Sequence, residues 1–407
     1  MDLRYSENDE AFRSELRAWL HTATKEIGIR PTNEDWAERR AYDQRWQKML
    51  FDAGYAGINW PVEYGGRGAT LTEQLVYYEE IARSGAPDVG IGFVGQLHAG
   101  PTIMMMGNEA QRRAHLPGIL AGTEVWCQGF SEPGAGSDLA SLQCKAVRDG
   151  DEYVITGQKI WTSFAQVADF CEMLVRTDPE APKHKGITWL IVPMDLPGIE
   201  VRPLRNMSDT TEFSEVFFDE VRVPVSNRVG DENAGWRVAM TTLSFERGTA
   251  FMADQILIGR LVQDMAALSR RITTGGHRSW DDVEIRRELG HLAAEVDALD
   301  ALTKRNVSAI ARAGDGIPDM NLAVVVKLAY SELRQRLGRL GMNIIGRAGL
   351  VYDDIEVDGH DLATRALLYE RLHSLALSIA AGTSQVQKNI IAERVMGLPK
   401  EPTWTSN

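Results

Sequence analysis

The spacing of apolar and polar positions changes its period twice along the chain. Up to about residue 120 the pattern is helical. LTEQLVYYEEIARS, Leu71 to Ser84, repeats its apolar residues at helical spacing and is followed by Gly85, a C-cap candidate. GINWPVEYGGRG, rich in turn residues, separates helices before it. From about Glu124 to Arg228 the pattern shortens into EVWCQGF, EYVITGQKIWTS, ITWLIVPM, IEVRPL and SEVFFDEVRVP. These runs are rich in Val, Ile, Trp and Phe and are bounded by Gly, Pro and Asp, which predicts strands of a compact antiparallel unit. Arg148-Asp149-Gly150-Asp151 reads as a hairpin turn. After Gly235 the helical period returns, in Trp236 to Arg271, Asp281 to Ala313, Leu322 to Ile345, Leu362 to about Ala380, and Ser384 to Met396. In the second of these, Val283, Leu289, Leu292, Val296, Leu299 and Leu302 share one side. Gly397 and Pro399 close the last, and Thr273 to Ser279 is the weakest link, expected to be mobile. The expected fold is α+β and mainly helical. It has an N-terminal helical domain (1–123), a central antiparallel β-domain (124–232) and a C-terminal four-helix-type bundle (233–407).

Composition narrows the classes. Of 407 residues, 44% are hydrophobic and 25% charged, as in ordinary globular proteins, and so long a chain can bury a large core. Lys and Arg number 44 against 57 Asp and Glu, and the net charge of −13 argues against a nucleic-acid binder. Cys127, Cys144 and Cys171 form no CxxC pair, so neither a disulfide framework nor a metal site is expected, and a reducing cytoplasm fits. The N-terminus lacks a signal-peptide core, and no apolar run is long enough to span a membrane.

Four blocks then carry a resemblance. Gly129-Phe130-Ser131-Glu132-Pro133-Gly134-Ala135-Gly136-Ser137-Asp138 resembles the signature of the acyl-CoA dehydrogenase family. Gly157-Gln158-Lys159-Ile160-Trp161-Thr162-Ser163 matches a second block, EVFFDEVRVP with GDENAGW a third, and Gly382-Thr383-Ser384-Gln385 a fourth. Singly, SEPGAGSD is as consistent with a plain turn, and Trp161 with a core position in a strand. Together, in order and in register, the blocks cover essentially the whole chain. The resemblance implies FAD as cofactor and an acyl-CoA thioester as substrate, oxidised across Cα–Cβ to the trans-2-enoyl-CoA with hydride passing to flavin N5. It implies cofactor contacts from Gln128, Phe130, Ser131, Gly136, Ser137, Trp161, Thr162, Ser163, Thr383 and Gln385. Serines at 131 and 163 stand where relatives often carry threonine, and Phe130 replaces a usual aliphatic residue.

The base is expected to have moved. The family most often places its catalytic glutamate just before Gly-Thr-Ser-Gln, where this chain has Ala381. A minority carries it on an earlier helix in an LxxER-like stretch, and Leu243-Ser244-Phe245-Glu246-Arg247-Gly248 matches that pattern. Glu246 is thus the expected base, beside Arg247. Its apolar sequence neighbours Leu243, Phe245, Ala250 and Phe251 favour a raised pKa. An arbitrary Glu-Arg pair would instead be an exposed ion pair on a helix. Ala381 keeps a backbone N–H for the enolate oxygen.

Two family elements that serve a neighbouring subunit's FAD are altered. Ser269 to Arg278 shows no Arg-x-x-Phe-Gly segment, and Asn343-Ile344-Ile345-Gly346-Arg347 stands for Gln-x-x-Gly-Gly. The pattern resembles actinobacterial two-component enzymes, some of which act on sterol side-chain thioesters. The resemblance further implies a homo- or hetero-tetramer, a dimer of dimers, with electron-transfer flavoprotein as electron acceptor. The alternative is a non-catalytic or half-site subunit of a heteromeric enzyme.

Overall fold

The computed structural model describes residues 5–31, 35–248, 252–274, 276–313, 321–357 and 360–400. Side chains at 244–248, 252–255, 274, 310–313, 321–323, 357, 360 and 361 lie outside the described set. Two compact units are present, Tyr5–Glu246 and Arg247–Asn407, the latter with Met1–Arg4.

The first unit opens with helices α1 (Glu7–Ile27), α2 (Trp36–Asp52), α3 (Leu71–Ser84), α4 (Gly100–Met106) and α5 (Glu109–Ala121). The capping chemistry explains the bounds of α3. Thr70 and Glu73 close a capping box at its start, and Gly85, at φ +69°, ends it in the left-handed region. Immediately before α4, Gly95–Ala99 forms a π-helical turn.

Strands follow: β1 (Trp126–Gly129), β2 (Lys145–Asp149), β3 (Glu152–Ser163), β4 (Phe170–Arg176), β5 (Ile187–Pro193), β6 (Ile199–Leu204), β7 (Phe213–Pro224) and β8 (Arg228–Val229). They make one sheet in the order β6-β7-β3-β2-β4-β5-β8, with β1 added on β4. The hairpin falls where expected. Asp149 pairs with Glu152, and the positive φ (+63°) sits on Gly150. The antiparallel expectation needs one correction. β1 runs parallel to Phe170–Met173 of β4, and β2 meets the far end of β4, at Arg176, also in parallel. Both contacts join strands that are not sequence neighbours, so no turn forces them antiparallel.

Helices and sheet share a core. Trp46, Trp60 and Ile119 pack in one cluster with Trp126, Phe130, Leu174 and Trp189, and Val238 and Ala239 of α6 (Gly235–Gly248) join it. The β-segment has a further core of its own around Tyr153, Ile155, Leu190 and Val221.

The second unit is helical. Helices α7 (Met252–Arg271), α8 (Val283–Ala313), α9 (Asn321–Ile345) and α10 (Thr364–Ala376) pack as a bundle, and α11 (Ser384–Ile390) runs into a π-turn at Ile391–Val395. Leu289, Leu292, Val296 and Leu299 are buried as the periodicity implied, but Val283, which begins α8, is 62% exposed. The expected mobile link is a two-stranded ribbon, β9 (Thr273–Thr274) with β10 (His277–Arg278). Ile355–Val357 and His360–Leu362 form a second ribbon, β11 with β12.

Candidate active site

The Gly-rich loop after β1 is pinned from below by one buried lysine. Lys159 on β3 is fully buried; its Nζ donates to Phe130 O (3.1 Å) and Glu132 Oε1 (2.8 Å). Glu132 also accepts from the backbone N–H groups of Gln143 (2.6 Å) and Cys144 (2.9 Å). A buried charge is tolerable only when paired and hydrogen-bonded, and both members here are. Ile160 N–H donates to Ser131 O (3.0 Å), and Glu132 and Ala135 exchange two backbone bonds of 3.0 Å across the Pro133-Gly134 turn. The turn reading of SEPGAGSD is therefore correct as local geometry. Yet Pro133, Gly134, Gly136 and Ser137 face solvent, and a Cβ built on Gly134 or Gly136 would meet nothing within 4 Å. Neither glycine has positive φ. Packing within this chain thus does not demand glycine at either place, whereas the close approach of a ligand would.

β3 supplies the adjoining wall. Its pairing with β7 slips between Lys159 and Thr162, so Ile160 and Trp161 bulge out of register. Trp161 has φ +60°, is 56% exposed, and lies edge-on to Phe213 at 6.0 Å between ring centroids. The core reading of Trp161 fails. Thr162 points inward, and its buried Oγ1 has no hydrogen-bond partner among the described residues. Ser163 is half-buried beside it. An exposed indole beside an open glycine turn fits a flat ligand, as the FAD ring system is.

Behind this wall lies a polar network that the sequence motifs did not reveal. Gln128 Nε2 lies 2.8 Å from Glu172 Oε1 and 3.1 Å from His98 Nδ1. Glu172 on β4 is fully buried, and His98, in the π-turn, is 3% exposed and edge-on to Phe93 at 4.7 Å. The one available signal was Glu172, a lone acid within the apolar run FCEMLV.

The cysteines are buried thiols. Burial and the neighbouring Cys171 push Cys127 well up, and burial pushes Cys144 up to about 11. Neither is poised as a nucleophile. Among the described residues no group of His, Cys, Asp and Glu could hold a metal ion.

Glu246 and Arg247 occupy the last turn of α6, and their side chains lie outside the described residues, as do those of Phe245, Ala250 and Phe251. One turn earlier, buried Thr242 donates to Val238 O (3.2 Å), and its Oγ1 lies 2.8 Å from Thr102 Oγ1 on α4.

The Gly-Thr-Ser-Gln block belongs to the second unit. Ala381 has φ +53° and Gly382 φ +87°. Gln387 Nε2 donates to Ala381 O (2.9 Å), and buried Lys327 Nζ donates to Gly382 O (2.7 Å) and Leu377 O (2.9 Å). The Ala381 N–H is given to no acceptor among the described residues. Thr383 caps α11, its Oγ1 accepting from Val386 N–H (3.1 Å), and Gln385 is exposed.

Comparison with known proteins matches three domains in order. Residues 6–123 match the acyl-CoA dehydrogenase N-terminal domain, 127–221 the middle domain and 233–396 the C-terminal domain. Acyl-CoA dehydrogenase IpdE1 of Mycobacterium tuberculosis is 38% identical over 396 residues, covering 96% of this chain and 98% of that protein. Acyl-CoA dehydrogenase FadE26 of the same organism is 35% identical over 98% of this chain and 99% of that protein. Among solved structures, a chain of the ChsE4-ChsE5 complex from Mycobacterium tuberculosis superposes with a TM-score of 0.82 at 34% identity, covering 98% of this chain and 100% of that one. A chain of the Tcur3481-Tcur3483 steroid ACAD superposes with a TM-score of 0.83 at 34% identity, with the same coverage.

Proposed function

Since the chain belongs to the acyl-CoA dehydrogenase family and is an FAD-dependent acyl-CoA dehydrogenase, we propose that Glu246 is its base. One observation carries the reading of the cofactor wall: Trp161 stands exposed at a strained bulge beside a turn that Lys159 and Glu132 hold open. The exposure of Trp161 and of the Gly134 and Gly136 turn supports that reading.

Gln128, Phe130, Ser131, Gly136, Ser137, Trp161, Thr162 and Ser163 would line the flavin, with Thr383 and Gln385 at a second contact. Trp161 offers an aromatic surface, Ser131, Ser137 and Ser163 offer hydroxyls, Thr162, whose side chain is buried, offers its backbone, and Gly136 leaves room for backbone approach. Bound FAD supplies the hydride acceptor at N5. Glu246 removes the α-proton of the thioester, and Arg247 holds a positive charge beside it. Ala381 keeps the N–H that donates to the thioester oxygen as negative charge develops there. A general base contributes about 10²–10⁴-fold. Steady-state dehydrogenation of acyl-CoA by Glu246→Gln is therefore expected to fall by two to four orders of magnitude with FAD still bound. Retained turnover would assign the proton to another group.

A second reading concerns assembly. The ChsE4-ChsE5 and Tcur3481-Tcur3483 structures pair two named chains, and the second is a steroid ACAD. Together with the altered segments at 269–278 and 343–347, this supports a tetramer in which a paralogous chain completes the FAD site. The acyl group would then be a sterol side-chain thioester, with electron-transfer flavoprotein taking the electrons.

A further inference from the structure

The turn that carries Ala381 is held by two buried side chains. Lys327 on α9 is 3% exposed and Gln387 on α11 is 1% exposed. Lys327 Nζ donates to Leu377 O (2.9 Å), at the end of α10, and to Gly382 O (2.7 Å). Gln387 Nε2 donates to Ala381 O (2.9 Å). A carbonyl accepts and does not donate, so the amide nitrogen of Gln387 must face it. The carbonyls of Ala381 and Gly382 are therefore both turned toward these side chains.

The N–H groups of the turn are treated differently. Ala380 N–H donates to Ala376 O (2.8 Å), and Ser384 N–H donates to Ser378 O (2.9 Å). Between them, the N–H groups of Ala381, Gly382 and Thr383 are given to no acceptor among the described residues. Consecutive N–H groups of this kind suit an oxygen that gains negative charge. The backbone conformation is a costly one, because Ala381 at φ +53° lies in the left-handed region without being glycine. Such a conformation persists where its surroundings impose it. A lysine that served only the end of α10 would need no more than Leu377 O. Lys327 reaches past that end to Gly382, and Gln387 fixes the carbonyl of Ala381 itself.

We propose that Lys327 and Gln387 are positioning residues of the reaction. They hold the left-handed turn at Ala381 so that its N–H is ready for the thioester oxygen. The inference rests on the reading of that N–H as the donor to the developing enolate. It explains how the donor is kept in place once the glutamate side chain is gone: the turn is fixed through its carbonyls, which alanine shares with glutamate.

The test uses the FAD-loaded enzyme with a 2-enoyl-CoA product isotope-labelled at the thioester carbonyl, read by isotope-edited infrared spectroscopy. A donated hydrogen bond lowers the carbonyl frequency, so the wild-type enzyme should hold it below its position in solution. Lys327→Met and Gln387→Met should each move it back toward the solution position. Each should also slow flavin bleaching in anaerobic single turnover at least about tenfold, with FAD retained. A residue that only stabilised the fold would lower the melting temperature and leave the carbonyl where it is. An unmoved carbonyl in either variant therefore overturns the role of the residue replaced, whatever the bleaching rate. Gln387→Met keeps the proposal open to refutation should Lys327→Met not fold. A wild-type carbonyl already at its solution position would refute the reading of Ala381 itself, and the proposal with it. A failure of Glu246 as base would appear in bleaching by Glu246→Gln and would leave the carbonyl position standing.

Discussion

Trp161 holds a backbone conformation that costs a bulky residue about 1–3 kcal/mol and in return exposes its ring, an arrangement that gives the apoprotein nothing. Trp161→Ala should leave the stability of the apoprotein within about 0.5 kcal/mol, while FAD affinity falls about tenfold with the loss of an aromatic contact. Thermal unfolding of the apoprotein and flavin titration separate the two effects. The opposite outcome, a destabilised apoprotein with FAD affinity unchanged, would make Trp161 a structural residue. Lys159 is the converse case. Lys159→Met leaves Glu132 unpaired in the core and should cost about 3–5 kcal/mol in denaturant unfolding. Neither role was legible in the strand pattern alone. Regular alternation puts Lys159 and Trp161 on one face, and only the slipped pairing with remote β7 separates them. His98 and Gln128 were likewise unpaired in sequence, because a π-turn and a parallel strand bring them together.

Elements were legible where local chemistry bounds them. The limits of α3 follow from Thr70, Glu73 and Gly85, and the β2–β3 hairpin from Gly150. The ribbon of β9 and β10 was not, since two-residue strands carry no readable period. Nor was the tie between α1 and α3, whose charges lie far apart in sequence. Arg13 Nη1 donates to Glu79 (2.7 Å) and Glu80 (3.1 Å), and Arg17 grips Glu80 through two bonds of 2.8 Å. Burial works to raise the Glu80 pKa, but the bonds from Arg17 and Arg13 outweigh it and hold it below the usual value. A carboxyl depressed in the folded state stabilises the fold above its unfolded pKa, about 4.3, and that contribution fades as pH falls through the folded value. Urea unfolding should therefore show stability dropping below about pH 4.3, with a shallower drop in Glu80→Gln. Identical acid profiles would mean that the network adds no pH dependence.

For the whole molecule, the three-part architecture was readable because the hydrophobic period changes with each part. What the period could not show is that helices and sheet share one core, which makes Tyr5–Glu246 a single unit. The altered segments are taken up by contacts inside the second unit. Arg270 lies 3.7 Å over the Trp280 ring, Ser279 Oγ donates to Ile344 O (2.6 Å), and Ile344 and Ile345 are buried. Leu350, Ile379, Met396 and Leu398 of the same unit are apolar and exposed. The chain expressed alone should purify with incomplete FAD, and coexpression with a paralogous acyl-CoA dehydrogenase chain should fill the sites and give a tetramer. Light scattering with flavin quantitation decides this, and a fully loaded, active homotetramer would contradict it.

The central claim is that the base stands at Glu246 because Ala381 cannot act. Anaerobic single-turnover mixing of the FAD-loaded enzyme with an acyl-CoA it oxidises tests this most directly, since it isolates proton and hydride removal from every later step. Glu246→Gln should bind the thioester yet bleach the flavin at least about a hundredfold more slowly than the wild type. Bleaching at the wild-type rate would contradict the assignment.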